Sequence, residues 1–331
     1  MKYIISRIMK MDYKEFFNKV SEISKENNKN KIIVFFDIIY CGFKYGAGYM
    51  DYYLFNFINL TKEERKTFIT RGINNTIVQK LNDPNKMKIF TNKVSFNKKF
   101  SKYLNRRWLY LDDNFKEFEE FIKTQEYIFC KPLALRSGEG IEKYKVSDFK
   151  PKKLYNTLIE KNQLLVEELA VQHKQMSKIH PASVNTIRVI TINNGKSIKI
   201  LAAIFRIGNN NSVVDNLGSG GMSTYVNVDT GEVEFPAIDK FRNVYEVHPI
   251  TNEKIVGFKI PIWDDVKKLC IEAASVVDGV GYIGWDVCVG EKHPYLIEGN
   301  EFSGHRVLQL PIRENQKVGL YPKLKEIMED K

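Results

Sequence analysis

Cysteine is scarce in this chain. Four stand in 331 residues, Cys41, Cys130, Cys270 and Cys288, and no two share a CxxC spacing. That excludes a thiolate zinc site of ordinary ligand spacing and a disulfide framework, and it points to buried free thiols, because an unpaired cysteine packs as a small hydrophobe. Long apolar runs are also missing. Stretches such as Ile32 to Phe36 and Leu164 to Val166 fall far short of the roughly 20 residues that cross a bilayer, so no transmembrane helix is expected. Met1 to Met11 lacks a long apolar centre and a small-residue cleavage site, which argues against a secretion signal and for a cytoplasmic protein. No internal repeat and no low-complexity linker interrupts the chain.

What is present has a globular balance: 43% of the residues are hydrophobic and 27% charged, close to the average for a folded protein. The length allows a sizeable core and two or three subdomains. The net charge of +11 is unevenly placed: residues 1–110 carry 22 Lys and Arg against 9 Asp and Glu, a net +13, and residues 111–331 sum to −2. A basic front of this kind suits an anionic partner such as a membrane surface, a nucleotide sugar, a lipid pyrophosphate or nucleic acid; it is equally compatible with a solvated lysine-rich face. Nucleic acid is the least favoured of these, since no recognition module is present and the aromatics sit at core-like spacing.

The first ninety residues read as helical. Tyr13, Phe16, Phe17, Val20 and Ile23 fall at helical spacing, and Thr61 with Glu64 three residues on has the form of a capping box. Between them Tyr40 to Tyr49, crowded with aromatics and glycines, reads as a loop. From Lys88 the texture changes to short segments rich in Val, Ile, Tyr and Thr: Tyr127–Cys130, Leu164–Val166, Thr186–Ile192, Ile198–Phe205, Met222–Val228, Ile283–Val289 and Pro294–Glu298. These are expected to be strands joined by hairpins. One helix is expected over Trp263–Val277, starting between Pro261 and Asp264. Helices followed by sheet with helices imply an α+β or α/β arrangement.

The most informative stretch runs from Gly284 to Asn300 and reads as strand, tight turn, strand. With the turn centred on Lys292, Asp286 and Glu298 lie directly opposite each other, their Cβ atoms roughly 4.5–5.5 Å apart. Asn300 shares the face of Glu298, because strand side chains alternate with period two. Facing carboxylates repel unless something positive lies between them, and a set of Asp, Glu and Asn oxygens suits magnesium. The structural alternative is a pair of exposed acids at a hairpin end, one of them bound to a lysine.

Two further stretches carry weaker signals. Tyr127 to Gly140 places Lys131 at the end of an apolar strand, followed by Ser137, Gly138 and Gly140, where glycines let backbone approach a phosphate and the lysine adds a point charge. It is not a Walker loop, since the lysine precedes the glycines. Leu164 to Val166 then runs directly into Glu167 and Glu168, a place where backbone can meet an adenine edge or where a strand simply surfaces.

In this order, the Lys-Pro with glycine loop, the Val-Glu-Glu segment and the terminal Asp…Glu-x-Asn hairpin resemble the ATP-grasp superfamily. Pro181 to Val189, Phe205 to Gly208, and Asp215-Asn216 with Gly218 to Gly221 resemble more closely the sugar-transfer-associated ATP-grasp proteins encoded with bacterial surface-polysaccharide genes. The resemblance covers roughly residues 40–310. It implies an α+β ATP-grasp fold, two α+β subdomains clamping ATP, here with an N-terminal helical region, and the division 1–90, 91–168 and 169–331. It also implies an ADP-forming carboxylate-amine ligase that works through an acyl phosphate with ATP and two magnesium ions.

Residue by residue, Lys93 and Lys131 match the lysines on the nucleotide, and Glu167, Glu168 and Leu169 match the adenine hinge. Asp286, Glu298 and Asn300 match the metal ligands, and Arg188 and Arg206 match arginines suited to a transferring phosphoryl group or a substrate carboxylate. Gln172 or His173 is the candidate for the ribose. Asn185, Asp215, Asn216, Gly220, Gly221 and His305 are the candidates for acceptor binding. The implied partners are a sugar acid or sugar-linked carboxylate and an amine donor, with peripheral attachment to the inner face of the membrane through the basic N-terminal region. Two other readings stay open: a sugar phosphotransferase on the same ATP site, and a non-catalytic membrane-surface adaptor.

Overall fold

The computed structural model describes residues 11–330 except 113, 134–139, 211 and 310–315. The chain divides into two compact units: residues 1–81 together with 304–331, and residues 82–303.

The first unit is helical. Tyr13–Glu26 is capped by the Asp12 side chain and buries Phe16, Val20 and Ile23. Lys31–Tyr45 is capped by Asn30 and buries Val34, Ile38, Cys41 and Tyr45, an i, i+4, i+7, i+11 stripe. The expected loop at Tyr40 to Tyr49 is therefore corrected. The helix continues through Gly42 to Tyr45, Gly46 ends it at φ +64°, and a new helix begins at Tyr49. The apolar stripe on the preceding turns outweighs the single interior glycine, whose cost is only about 1 kcal/mol. Thr61 and Glu64 form the reciprocal capping box expected of them, on a helix that is short, Lys62–Arg65. The chain returns to this unit at its end: the Gln309 side chain bonds both the N–H and the carbonyl of Ile69, at 2.8 and 2.9 Å, and Tyr321–Glu329 forms a last helix.

The second unit holds eleven strands among the described residues, β1 Trp108–Tyr110, β2 Tyr127–Lys131, β3 Glu142–Lys145, β4 Leu165–Glu168, β5 Ile187–Asn193, β6 Ile198–Ile207, β7 Met222–Val226, β8 Ala237–Ile238, β9 Val244–Tyr245, β10 Tyr282–Val289 and β11 Pro294–Asn300. They make two antiparallel sheets, β1-β4-β2-β3 and β11-β10-β5-β6-β7-β8-β9. The smaller sheet packs Ile128, Cys130 and Val166 against Phe118, Leu154 and Leu158 of the helices Phe115–Ile122 and Pro151–Glu160. The larger sheet buries Ile187, Val189, Ala203, Phe205, Trp285 and Val287 in one core with Val266, Cys270 and Ala273 of the helix Trp263–Ala274. All four cysteines are free and buried, as expected.

Alternation assigns the other face of the larger sheet. If odd-numbered residues of β5, β6 and the first half of β10 face the core, then Arg188, Arg206 and Asp286 face away from it. Asp286 and Glu298 are register partners, as the hairpin geometry predicts, and so are Gly284 and Asn300. Beyond the acids the expected register is corrected: Val287 pairs with Leu296, so Ile297 is an extra residue and a bulge sits between the acids and the turn. The turn is thus one residue shorter than a centre on Lys292 would make it, and the bulge restores the alignment of the acids. Gly299 lies between the two ligand candidates and points inward. A Cβ there would come within 2.9–3.0 Å of Phe96, Phe90 and Trp285, so the aromatic cluster leaves no room for a side chain.

Candidate active site

One row of charges crosses three strands. Arg188 on β5 is the register partner of Asp286 on β10, which is in turn the partner of Glu298 on β11. Arg188 Nε donates to Asp286 Oδ1, and Arg188 Nη2 to Oδ2 at 2.7 Å. Arg206 on β6 adds a second guanidinium on Asp286 Oδ2 at 2.8 Å and reaches Asp215 Oδ1 at 3.1 Å and the side-chain oxygen of Asn216. Asp215 is itself fixed by the N–H of Thr186 at 2.9 Å and by its hydroxyl. Gly221 closes this loop: a Cβ there would lie 2.4 Å from the carbonyl oxygen of Asp215.

The charges do not balance within the row. Three acids, Asp215, Asp286 and Glu298, face two arginines. Burial pulls the Arg206 proton toward release, but Asp215 and Asp286 hold its pKa above the ordinary value. Burial raises Asp286, and the guanidiniums of Arg188 and Arg206 more than offset it, so the net direction is down. Glu298 goes up: burial and the facing Asp286 charge favour its neutral form. Asn300 donates to Glu298 Oε1 at 3.2 Å and to the Gly284 carbonyl at 3.4 Å.

This donor set fits magnesium at one edge. Glu298 and Asn300 offer oxygens on the half-buried side of the row, where a divalent cation would neutralise the repulsion between the facing carboxylates. Both oxygens of Asp286 lie on guanidiniums, so Asp286 joins a metal shell only by exchanging one of those contacts. Ser223, the register partner of Arg206, and Ser303, beside Gly284, each have a buried hydroxyl with no hydrogen-bond partner among the described residues.

The remaining candidates are placed as follows. Lys131, at the end of β2, pairs with Glu167, whose other oxygen accepts from Arg106 and from Asn97, both at 2.9 Å. Burial raises Glu167, and Arg106 and Lys131 draw it well below the usual carboxylate range. Glu168 accepts from the backbone N–H of Arg107 at 2.8 Å and from Gln125 at 2.9 Å. Leu169 follows β4 and is half-buried. Lys93 opens the helix Lys93–Lys99. Gly140 stands at φ +70° and its carbonyl accepts from Gln163 at 2.9 Å, whereas Ser137 and Gly138 lie outside the described residues.

Several side chains brace the scaffold. His173 accepts from the Gln175 N–H as the cap of Lys174–Ile179. Gln172 donates to the carbonyls of His180 and Ser183 and accepts from Asn185. Asn185, fully buried, donates to Gln172, Met176 and His180 and accepts from the Gly208 N–H. Gly220 takes φ +95° at the end of the 217–219 turn. His305 belongs to the helical unit, where it bonds Asp51 at 3.0 Å.

Arg106 escaped the sequence reading. Its guanidinium, 3% exposed, bonds Glu167 and the carbonyls of Leu296 at 2.6 Å and Ile297 at 3.1 Å, so it fastens the smaller sheet to the charged hairpin. The one signal was an Arg-Arg pair placed just before a strand.

Two antiparallel sheets in one unit, with a row of acids and arginines on the larger, define a two-sheet α+β protein. The chain belongs to the sugar-transfer associated ATP-grasp family, whose model matches residues 142–329. Comparison with curated proteins finds no match. Similar solved structures include the ATP-grasp ligase PsnB complexed with minimal precursor, at 15% identity, 75% of this chain, 62% of that one and a TM-score of 0.43. D-alanyl-alanine synthetase A from Vibrio cholerae matches at 15%, 74%, 62% and 0.43, and D-cycloserine synthetase DcsG at 9%, 73%, 72% and 0.43. The match thus spans less than two thirds of the length of the first two.

Proposed function

We propose that this protein is a magnesium- and ATP-dependent ligase that joins a carboxylate to an amine through an acyl phosphate. The observation that carries the reading, beside family membership, is the row Arg188–Asp286–Glu298 with Arg206, in which facing carboxylates and clustered guanidiniums are placed on one rigid sheet. The substrate class it fits is a sugar acid or a sugar-linked carboxylate in the assembly of a capsule or other surface polysaccharide. The site of action is the cytoplasm, with peripheral attachment at the inner face of the membrane through the basic N-terminal region. Among the described residues no helix is long and apolar enough to cross a membrane.

In this reaction a carboxylate oxygen bonds to the γ-phosphorus of ATP as the bond to the β–γ bridging oxygen breaks and ADP leaves. The amine nitrogen then bonds to the acyl carbon, the bond to the phosphate oxygen breaks, and the amine proton passes to solvent. Arg188 and Arg206 stabilise the charge that spreads over the transferring group, and they are already held by acids, so little reorganisation accompanies the step. Lys131 leaves Glu167 for a phosphate oxygen. Magnesium, two ions in this reading, would be held by Glu298 and Asn300 with Asp286 and would supply neutralisation of the triphosphate. Glu167 to Leu169 offer backbone to the adenine, and Asp215, Asn216 and the Gly220-Gly221 backbone line the acceptor side.

The test is ADP release from purified protein given ATP, magnesium, uronic acids and a panel of amines. Release that requires both carboxylate and amine, and falls at least a hundredfold in Glu298→Gln, is the expected result. Release that persists without any amine would favour the sugar phosphotransferase instead.

A further inference from the structure

The helical unit contains a cavity of about 1570 Å³ lined only by its own residues, larger than the roughly 300–1,000 Å³ of ordinary ligand pockets. Its walls are of two kinds. Phe16, Ile38, Ile39, Phe43, Ile77 and Met328 give an apolar surface. Lys44, Lys66, Arg71, Lys80, Arg306 and Lys325 give six cations, against the four acids Asp12, Glu15, Glu63 and Glu329. Three of those acids are engaged locally: Asp12 caps a helix, Glu15 accepts from the Tyr49 hydroxyl at 2.9 Å, and Glu63 pairs with Lys66 at 2.8 Å, which leaves five cations against the rest.

One cation of the basic wall, Arg306, is held by a buried carboxylate. Asp51, fully buried, accepts from Arg306 Nε at 2.9 Å, His305 Nε2 at 3.0 Å, the Arg71 N–H at 2.8 Å and the Gly48 N–H at 3.2 Å. It anchors Arg306 in the wall while 37% of that side chain stays exposed. A site that sets several cations, one of them anchored, beside aliphatic and aromatic surface has the chemistry of an anionic head joined to an apolar tail. The apolar wall also continues outward, since Phe43 is 60% exposed and lies on the same helix as Phe36, 64% exposed, and Ile33, 61% exposed.

We propose that this cavity is a second binding site, for an anionic amphiphile carrying a phosphate or carboxylate head. It stands apart from the ligase reading, because no residue of the charged row takes part. The head pairs with Arg306, Arg71 and Lys80, and the tail lies along Ile38, Ile39, Phe43 and Ile77.

The test is calorimetric titration of the full chain with dodecyl phosphate below its micellar concentration, beside dodecyl maltoside and inorganic phosphate. Saturable binding of one dodecyl phosphate, at least tenfold tighter than either control, is expected, with no displacement by magnesium and ATP. Gly48→Leu plugs the cavity without touching a charge. An added Cβ meets nothing within 4 Å there, and the backbone at φ −70° accepts any side chain. This variant should lose at least tenfold in affinity with an unchanged melting temperature, and Lys80→Gln combined with Lys325→Gln should do the same. Equal binding of the neutral detergent, retention of binding in both variants, or displacement by ATP would overturn the proposal. Adsorption to phosphatidylglycerol vesicles without binding of monomeric dodecyl phosphate would also overturn it, since it would place the attraction on the outer surface rather than in the cavity.

Discussion

Burial raises the pKa of both Asp286 and Glu298, but the guanidiniums of Arg188 and Arg206 lie on Asp286 and bring it down, whereas the facing Asp286 charge pushes Glu298 further up. Glu298 therefore keeps a proton above the usual carboxylate pKa. In the folded state that proton is stabilising at low pH, and the contribution is lost as pH rises through the raised value. A divalent cation bound there must displace it. Magnesium binding should release protons to buffer over that range, measured by calorimetry in buffers of different ionisation enthalpy; a heat independent of buffer would contradict a raised Glu298. Asp51 shows the opposite linkage. Burial would raise it, yet the His305 hydrogen bond and the charges of His305 and Arg306 hold it down to about 2. Its contribution of roughly 2 kcal/mol is present above about pH 4 and lost as pH falls toward about 2. Urea unfolding should show the gap between wild type and Asp51→Asn closing over that interval, and a gap constant with pH would remove the assignment. Glu167→Gln leaves Arg106 and Lys131 buried with half their partner, a loss of about 3–5 kcal/mol by the same measurement.

At the scale of elements, the helix over Lys31–Tyr45 makes a sharp expectation. Gly42 lies inside it, and a Cβ there would meet only the Ala47 carbonyl at an ordinary 3.6 Å. Gly42→Ala should raise stability by about 0.5–1 kcal/mol; a neutral or destabilising result in urea would mean the helix ends before that residue. This segment was illegible in sequence because its aromatics and glycines imitate a loop, whereas the stripe Val34, Ile38, Cys41, Tyr45 that decides the matter is visible only once Tyr40 and Phe43 are assigned to the exposed side. The hairpin was legible because a strand pair has one free parameter, its register, and two carboxylates near a tight turn fix it. The bulge at Ile297 was not, since nothing in the residue types marks an extra residue. The strands β1 and β3 escaped notice because WLY and EKYK are too short to show alternation. The bracing roles of Gln172 and Asn185 also needed coordinates: a buried amide and a ligand-binding amide have the same letters.

Across the whole molecule, the N-terminal helices and the chain's last segment form one unit and the two sheets form the other, a return of the chain that Gln309 secures at Ile69 and that no local pattern announces. The basic excess over residues 1–110 spans both units, so it is a property of the sequence rather than of one surface. Ligase chemistry in this protein depends on the charged row of the sheet unit holding a magnesium–nucleotide complex. Its most direct test is a titration of the full protein with a non-hydrolysable ATP analogue, with and without magnesium, in wild type and Glu298→Gln. Nucleotide binding that magnesium strengthens at least tenfold in wild type, and leaves unchanged in a variant of equal melting temperature, is what the row predicts. The same magnesium dependence in both proteins would show that Glu298 does not hold the ion.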